Sequence, residues 1–202
     1  MTVYKFKTPV SEEDVRKLRV GDIIYVSGIM VTARDEAHKR ALEYYEEGKK
    51  LPVDFEGIAL YHCGPIVKKV NDEWVAIAAG PTTSTRMDLF EAEFIEKFKV
   101  RIIIGKGGMG EKTTKACEKY GAVYCAFVGG AAVLAANAIK RIKGVEWLDL
   151  GMPEALWIFE VENFGPLIIT IDTHGNNLHQ RIMSSVEARR DTLYKKLKIE
   201  NV

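Results

Sequence analysis

The stretch RIIIGKGGMGEKTTKACEKYGAVYCAFV, residues 101–128, decides the class of fold. Arg101 to Ile104 reads as a buried strand, Gly105 to Gly110 closes it as a loop, and Glu111 to Tyr120 carries a helical pattern ended by Gly121. Ala122 to Val128 makes the next strand, and Gly129-Gly130 leads into a small-residue helix from Ala131 to Ile142. Strands and helices that alternate with no linker between them point to an α/β domain.

The same alternation continues on both sides. Upstream, Asp22 to Val31 is a β-branched apolar strand that hands over at Thr32-Ala33-Arg34-Asp35 to an amphipathic helix, Asp35 to Glu47. Gly57 to Tyr61 and Trp74 to Ala79 flank a polar turn with Lys68, Lys69, Asn71 and Asp72, which predicts a hairpin. Met87, Phe90, Phe94 and Phe98 recur at helical spacing, and Thr85-x-x-Asp88 has the form of a capping box, so a helix is predicted from Thr85 to Phe98. Downstream, two strands near Trp157 to Val161 and Leu167 to Asp172 precede a last helix from about Asn177 to Leu197. Leu178, Ile182, Val186, Leu193 and Leu197 form one stripe on it.

Composition bounds the function. With 202 residues and 47% apolar content, the chain is read as one domain, 1–202, able to bury roughly 70% of its unfolded surface without disulfides or metals. Lysine and arginine number 29 against 28 acidic residues, so no global field favours nucleic acid or an anionic membrane. No apolar stretch is long enough to span a bilayer, and the N-terminus has no signal core. Cys63, Cys117 and Cys125 form no C-x-x-C pair, which argues against a disulfide framework or a metal or iron-sulfur site held within the chain. A soluble protein of a reducing, cytoplasmic compartment is expected.

Three loops carry the candidate chemistry: Thr32-Ala33-Arg34-Asp35, Thr82-Thr83-Ser84-Thr85-Arg86 and Gly105-Lys106-Gly107-Gly108-Met109-Gly110. Each follows an apolar strand, precedes a helix and presents a cation. Because ligand crevices of α/β sheets lie outside the carboxyl ends of strands, the three are expected to converge on one anion-binding pocket. Arg86 in a first helical turn opposes the macrodipole by about 0.3–1 kcal/mol, which a bound anion would relieve; otherwise it points into water or pairs with a neighbouring carboxylate. Gly105-x-Gly107-x-x-Gly110 also matches the dinucleotide fingerprint, but no acidic residue ends the following strand. Glu111 likewise spoils a phosphate-loop reading.

Four strings, Thr32 to Arg40, Tyr61-His62-Cys63-Gly64-Pro65, Gly80-Pro81-Thr82-Thr83-Ser84-Thr85-Arg86-Met87 and Gly105-Lys106-Gly107-Gly108-Met109, together with Asp149 to Ala155, resemble the β subunit, or C-terminal domain, of class I iron-sulfur fumarate hydratases and the related L-tartrate dehydratases. The resemblance implies a three-layer swivelling β/β/α domain. It also implies reversible hydration of fumarate to (S)-malate, with L-tartrate dehydration as the alternative. Arg34, Arg86 and Lys106 would bind the dicarboxylate and Thr82 would serve proton transfer, with Asp35, Gly105 and Gly107 in support. A four-iron, four-sulfur cluster would be held by cysteines of a partner α subunit, in an α2β2 assembly. A threonine hydroxyl is a poor base without a neighbour that takes its proton, which agrees with dependence on a partner.

Smaller roles are left open by the residues themselves. Asp35 orients Arg34 or caps the following helix; Glu154 supports the arginines; Thr85 mainly caps its helix; His38 and His62 read first as packing residues. A non-catalytic anion- or nucleotide-binding module around Gly105 to Gly110 is the rival from another class.

Overall fold

The computed structural model describes residues 1–197; 198–202, the end of the expected single domain, lie outside the described residues. Nine strands are present among the described residues: β1 (Val3–Lys7), β2 (Ile23–Thr32), β3 (Ala59–Tyr61), β4 (Ile66–Val70), β5 (Glu73–Ala78), β6 (Ile102–Gly105), β7 (Val123–Ala126), β8 (Ile139–Glu146) and β9 (Leu156–Ile171). The helices are α1 (Glu12–Arg16), α2 (Asp35–Glu46), α3 (Glu91–Phe98), α4 (Glu111–Tyr120), α5 (Ala132–Ala138) and α6 (Leu178–Leu197). Single 3-10 turns lie at Ser84–Leu89 and Leu148–Leu150.

Seven strands form one sheet in the order β1-β2-β3-β6-β7-β9-β8, and β9 also pairs with β2, so the sheet closes on itself. Strands β2, β3, β6 and β7 are parallel, while β9 runs against β2 and β7. Every parallel strand therefore ends at the same rim, where β9 begins. Alternation explains the burial: Ala59, Tyr61, Ile102, Ile104, Val123 and Cys125 face one core, whereas Leu60, Ile103 and Tyr124 face a second one beneath α2, α3 and α4. With both faces covered, these strands read as unbroken apolar runs.

Several boundaries differ from those predicted. Gly57 to Tyr61 does not form a hairpin with Trp74 to Ala79: β3 lies between β2 and β6, and the hairpin partner of β5 is β4. Asn71 and Asp72, at φ 50° and 64°, make its tight turn. Because β4 is short and mostly exposed, with Lys68 and Lys69 at its centre, it looks like turn in the sequence. The helix expected over Ala131 to Ile142 stops at Ala138, and Ile139 onward is drawn into β8 by pairing with β9. The two expected late strands are one, β9, whose register shifts against β2 absorb the intervening polar residues and Pro166. Strand β1 and the short α1 escaped prediction.

The small β4-β5 sheet sits on the side of the first core, where Trp74 meets Trp157 edge to face at 5.3 Å. The apolar stripe of α6 exists as predicted, but Ile182, Val186, Leu193 and Leu197 are exposed. No described helix is long and apolar enough to cross a membrane.

Candidate active site

The rim where the parallel strands end collects the three cation-bearing loops. Strand β2 delivers Arg34, β6 delivers Lys106, and the threonine string is stitched between them by backbone hydrogen bonds. Thr82 N donates to His62 O (2.7 Å), Lys106 N to Thr82 O (3.2 Å), and Ser84 N to Lys106 O (3.0 Å). The Thr85 hydroxyl adds a bond to Gly108 O at 3.0 Å. The threonine string and the glycine-lysine loop are thus one unit.

Each cation has a different environment. Arg34 Nε lies 3.0 Å from Glu154 Oε1, both largely buried, and its guanidinium rests on Gly64, where an added methyl would come within 2.7 Å of Nη1. Arg86 Nη2 lies 2.9 Å from Asp35 Oδ2, in a half-exposed pair, so the anion its position demands is at least partly supplied by the protein. Lys106 is exposed and has no ion-pair or hydrogen-bond partner for its side chain among the described residues. The half-buried Thr82 hydroxyl likewise makes no hydrogen bond among them.

Two expectations on capping are corrected. Asp35 neither caps α2 nor holds Arg34. The cap comes from Glu154, whose Oε2 accepts from Glu36 N at 3.1 Å while its other oxygen holds Arg34. Nor does Thr85 cap a helix. Residues 84–89 form a 3-10 turn because Thr85 is drawn to Gly108, and Asp88 accepts from Gly110 N (2.8 Å) and Thr113 Oγ1 (2.6 Å), capping α4 instead. Predicted Thr85 to Phe98 is therefore this turn followed by α3.

The glycine loop is explained by what approaches it. A methyl on Gly105 would overlap the Ser84 hydroxyl; on Gly108 it would come within 2.7 Å of the His179 ring, and on Gly110 within 2.5 Å of Asp88. Gly107 needs its glycine for φ +73°. The Asp88 carboxylate occupies the start of α4 where a dinucleotide's phosphates would need to lie, which counts against the nucleotide reading.

Beneath the loops lies a cluster that sequence reasoning missed. His38, His62 and Glu91 are fully buried, with His62 Nε2 2.9 Å and His38 Nε2 3.4 Å from Glu91 Oε2. His38 Nδ1 lies 2.7 Å from Arg34 O, and His62 Nδ1 lies 2.8 Å from Ser84 Oγ. Tyr124 donates to Ser84 Oγ at 2.9 Å, with Gly107 O at 3.3 Å. Burial alone raises the Glu91 carboxyl, but the His62 and His38 rings outweigh it and bring it down to about 2. Burial also holds His62 below its ordinary 6.5 and pushes the Tyr124 hydroxyl well up. One signal was available: Glu91 stands on the stripe of Met87, Phe94, Ile95 and Phe98, a carboxylate in an apolar position.

The three cysteines are buried free thiols, pushed above their ordinary range by burial.

Comparison with known proteins agrees with this geometry. The family model described as Fumarase C-terminus matches residues 2–182. The chain is 46% identical over 190 residues to the L(+)-tartrate dehydratase subunit beta of Escherichia coli (strain K12), covering 94% of this chain and 93% of that protein. It is 49% identical over 185 residues to a Methanocaldococcus jannaschii protein named "Putative L(+)-tartrate dehydratase subunit beta", covering 91% and 95%. Against a Geobacillus stearothermophilus protein named "Putative fumarate hydratase class I" it is 41% identical over 184 residues, 91% of this chain but 35% of that longer one. With the threonine string, the glycine-lysine loop and the two arginines on one rim, and with this match over most of its length, the chain belongs to the Fumarase C-terminus family as a hydro-lyase β subunit.

Proposed function

We propose that this β subunit forms half of an active site that adds water to, or removes it from, a four-carbon dicarboxylate. The observation that carries the reading is the backbone pairing of Thr82 to Ser84 with Lys106, flanked by Arg34 and Arg86. The arginine forks suit carboxylates bidentately, and Lys106 supplies a compact charge where the carbon acid turns anionic. Glu154 orients Arg34, and Asp35 holds Arg86 until a substrate carboxylate competes for it. The Thr82 hydroxyl is placed to pass a proton at carbon once a partner carboxylate withdraws its own.

Fumarate with (S)-malate is one substrate pair that fits. L(+)-tartrate, dehydrated to oxaloacetate, is the second, and the names of the relatives matched end to end favour it. A four-iron, four-sulfur cluster with an open iron site would act as Lewis acid on the departing hydroxyl. The buried, protonated thiols of this chain suit packing rather than ligation, which supports placing that cluster on an α subunit in an α2β2 enzyme. The closed sheet, with a small hairpin sheet on one face and helices on the other, supports the three-layer swivelling β/β/α arrangement. Three free cysteines support a reducing, cytoplasmic setting.

The test is anaerobic reconstitution with an iron-loaded α subunit, assayed on fumarate, (S)-malate and both tartrate enantiomers. Activity is expected only from the pair, on one of these couples. Substantial activity of the chain alone, or none from the loaded pair on all four, overturns the proposal.

A further inference from the structure

The buried cluster touches all three loops of the rim, through two backbone carbonyls and the buried Ser84 hydroxyl. From one end to the other the path is Arg34 O, His38, Glu91, His62, Ser84, Tyr124 and Gly107 O. Arg34 belongs to the first loop, Ser84 to the threonine string, and Gly107 to the glycine-lysine loop. His38, His62, Ser84 and Glu91 are completely buried.

Donor and acceptor chemistry assigns the protons along this path. A carbonyl only accepts, so His38 carries hydrogen on Nδ1 toward Arg34 O. Tyr124 shares its single hydrogen between Ser84 Oγ at 2.9 Å and Gly107 O at 3.3 Å, Ser84 gives its own to His62 Nδ1, and His62 therefore carries hydrogen on Nε2, toward Glu91 Oε2. Glu91 Oε2 also faces His38 Nε2, at 3.4 Å. The sum is one buried carboxylate gripped between two buried imidazole rings. Such a group is a poor device for stability, because desolvation offsets most of its attraction, but it fixes geometry closely.

We infer that His38, Glu91, His62, Ser84 and Tyr124 are positioning residues that lock the three loops to one another and so set the spacing between Arg34, Arg86, Thr82 and Lys106. The inference rests on the dicarboxylate reading only for why that spacing matters: a rigid diacid must meet its cations and the reacting hydroxyl together, and a misplacement near 1 Å costs on the order of a hundredfold in rate. It also gives Gly105 a reason. The Ser84 hydroxyl fills the place where a side chain on Gly105 would begin, and His62 Nδ1 lies 3.2 Å from that same point.

A divalent cation is the competing occupant. The ligating atoms of His38, His62 and Glu91 lie within 4.8 Å of one another, and both Nε2 atoms meet Glu91 Oε2 at ion-pair distance, with neither nitrogen and neither Glu91 oxygen in a hydrogen bond of good geometry. A metal would require both Nε2 atoms to be bare, whereas the relay requires His62 Nε2 to carry hydrogen.

The experiment has two arms. In the chain alone, nitrogen-15 NMR of labelled histidine is expected to find hydrogen on His38 Nδ1 and on His62 Nε2, with His62 Nδ1 bare. Stoichiometric zinc or manganese in the purified protein, with both Nε2 atoms unprotonated, overturns the relay. In the reconstituted pair, Ser84→Ala and Tyr124→Phe are each expected to lower kcat/KM at least tenfold, and the double variant no further than Ser84→Ala alone, since both break one path. Amide exchange in the isolated variants should quicken in residues 33–36, 82–86 and 105–108 while β6 and β7 stay protected. Unchanged exchange in those loops overturns the inference whether or not the pair proves to be a hydro-lyase, and unchanged kcat/KM in an active pair does so too.

Discussion

The backbone of Gly105 faces the Ser84 hydroxyl so closely that a single added methyl group would overlap the oxygen. Gly105→Ala must therefore push Ser84 off His62 and Tyr124, an overpacking change of about 1–3 kcal/mol. Denaturant unfolding should register that loss. Adding Ser84→Ala, which removes the overlapping oxygen, should restore much of the stability without restoring turnover in the reconstituted enzyme. Recovery of both together would mean that Ser84 serves packing alone.

Glu154 does two jobs with its two oxygens, and two substitutions separate them. Glu154→Ala removes the cap from α2 as well as the Arg34 partner, and should cost about 1 kcal/mol by denaturant titration. Glu154→Gln keeps an oxygen for Glu36 N–H but loses the charge, so stability should hold while KM for the dicarboxylate rises several-fold. Equal loss of stability in both variants would tie Glu154 to Arg34 alone.

Arg86 and Thr82 should fail in different ways. Arg86→Ala removes a charge-assisted carboxylate contact of about 1.5–3 kcal/mol, expected as a ten- to hundredfold fall in kcat/KM in the reconstituted pair. Thr82→Val keeps the shape and deletes the hydroxyl; kcat should fall by about two to four orders of magnitude with KM little changed. A Thr82→Val enzyme that turns over at the original rate removes Thr82 from the chemistry.

Acid should undo the buried cluster in a defined order. His62 is held below its ordinary 6.5 by burial, with Glu91 opposing, so the unfolded chain binds the proton first and stability declines as pH falls below 6.5. Glu91 is held at about 2 against an ordinary 4.5, and its contribution, complete above 4.5, is lost between there and about 2. Thermal midpoints measured from pH 8 to pH 3 should therefore fall steadily on the acid side, less steeply in His62→Gln. A flat profile from pH 7 to pH 4 would contradict the assignment.

The strands were legible where both faces are apolar. Ile102 to Gly105 and Val123 to Ala126 announce themselves, and α4 begins and ends at the predicted residues, Glu111 and Tyr120. That the cation-bearing loops share one rim was legible too, because parallel strands end on the same side. What stayed hidden depends on partners far apart in sequence. Residues 84–89 lose their helix to Gly108 and to the start of α4, and Ile139 to Glu146 becomes strand only because β9 lies beside it. His38 and His62 each looked like ordinary packing; only the fold brings Glu91 to both of them.

The start of α2 is finished by a carboxylate 118 residues further along the chain. A polypeptide still leaving the ribosome can have β2, α2, β3, β6 and β7 in hand and yet lack the residue that caps α2 and steadies Arg34. Synthesis thus sets a timetable: the cation-bearing rim is completed only when β9 enters and shuts the ring. A nascent chain stalled before residue 154 should hold its second core beneath the helices but lack both the closed sheet and a finished rim.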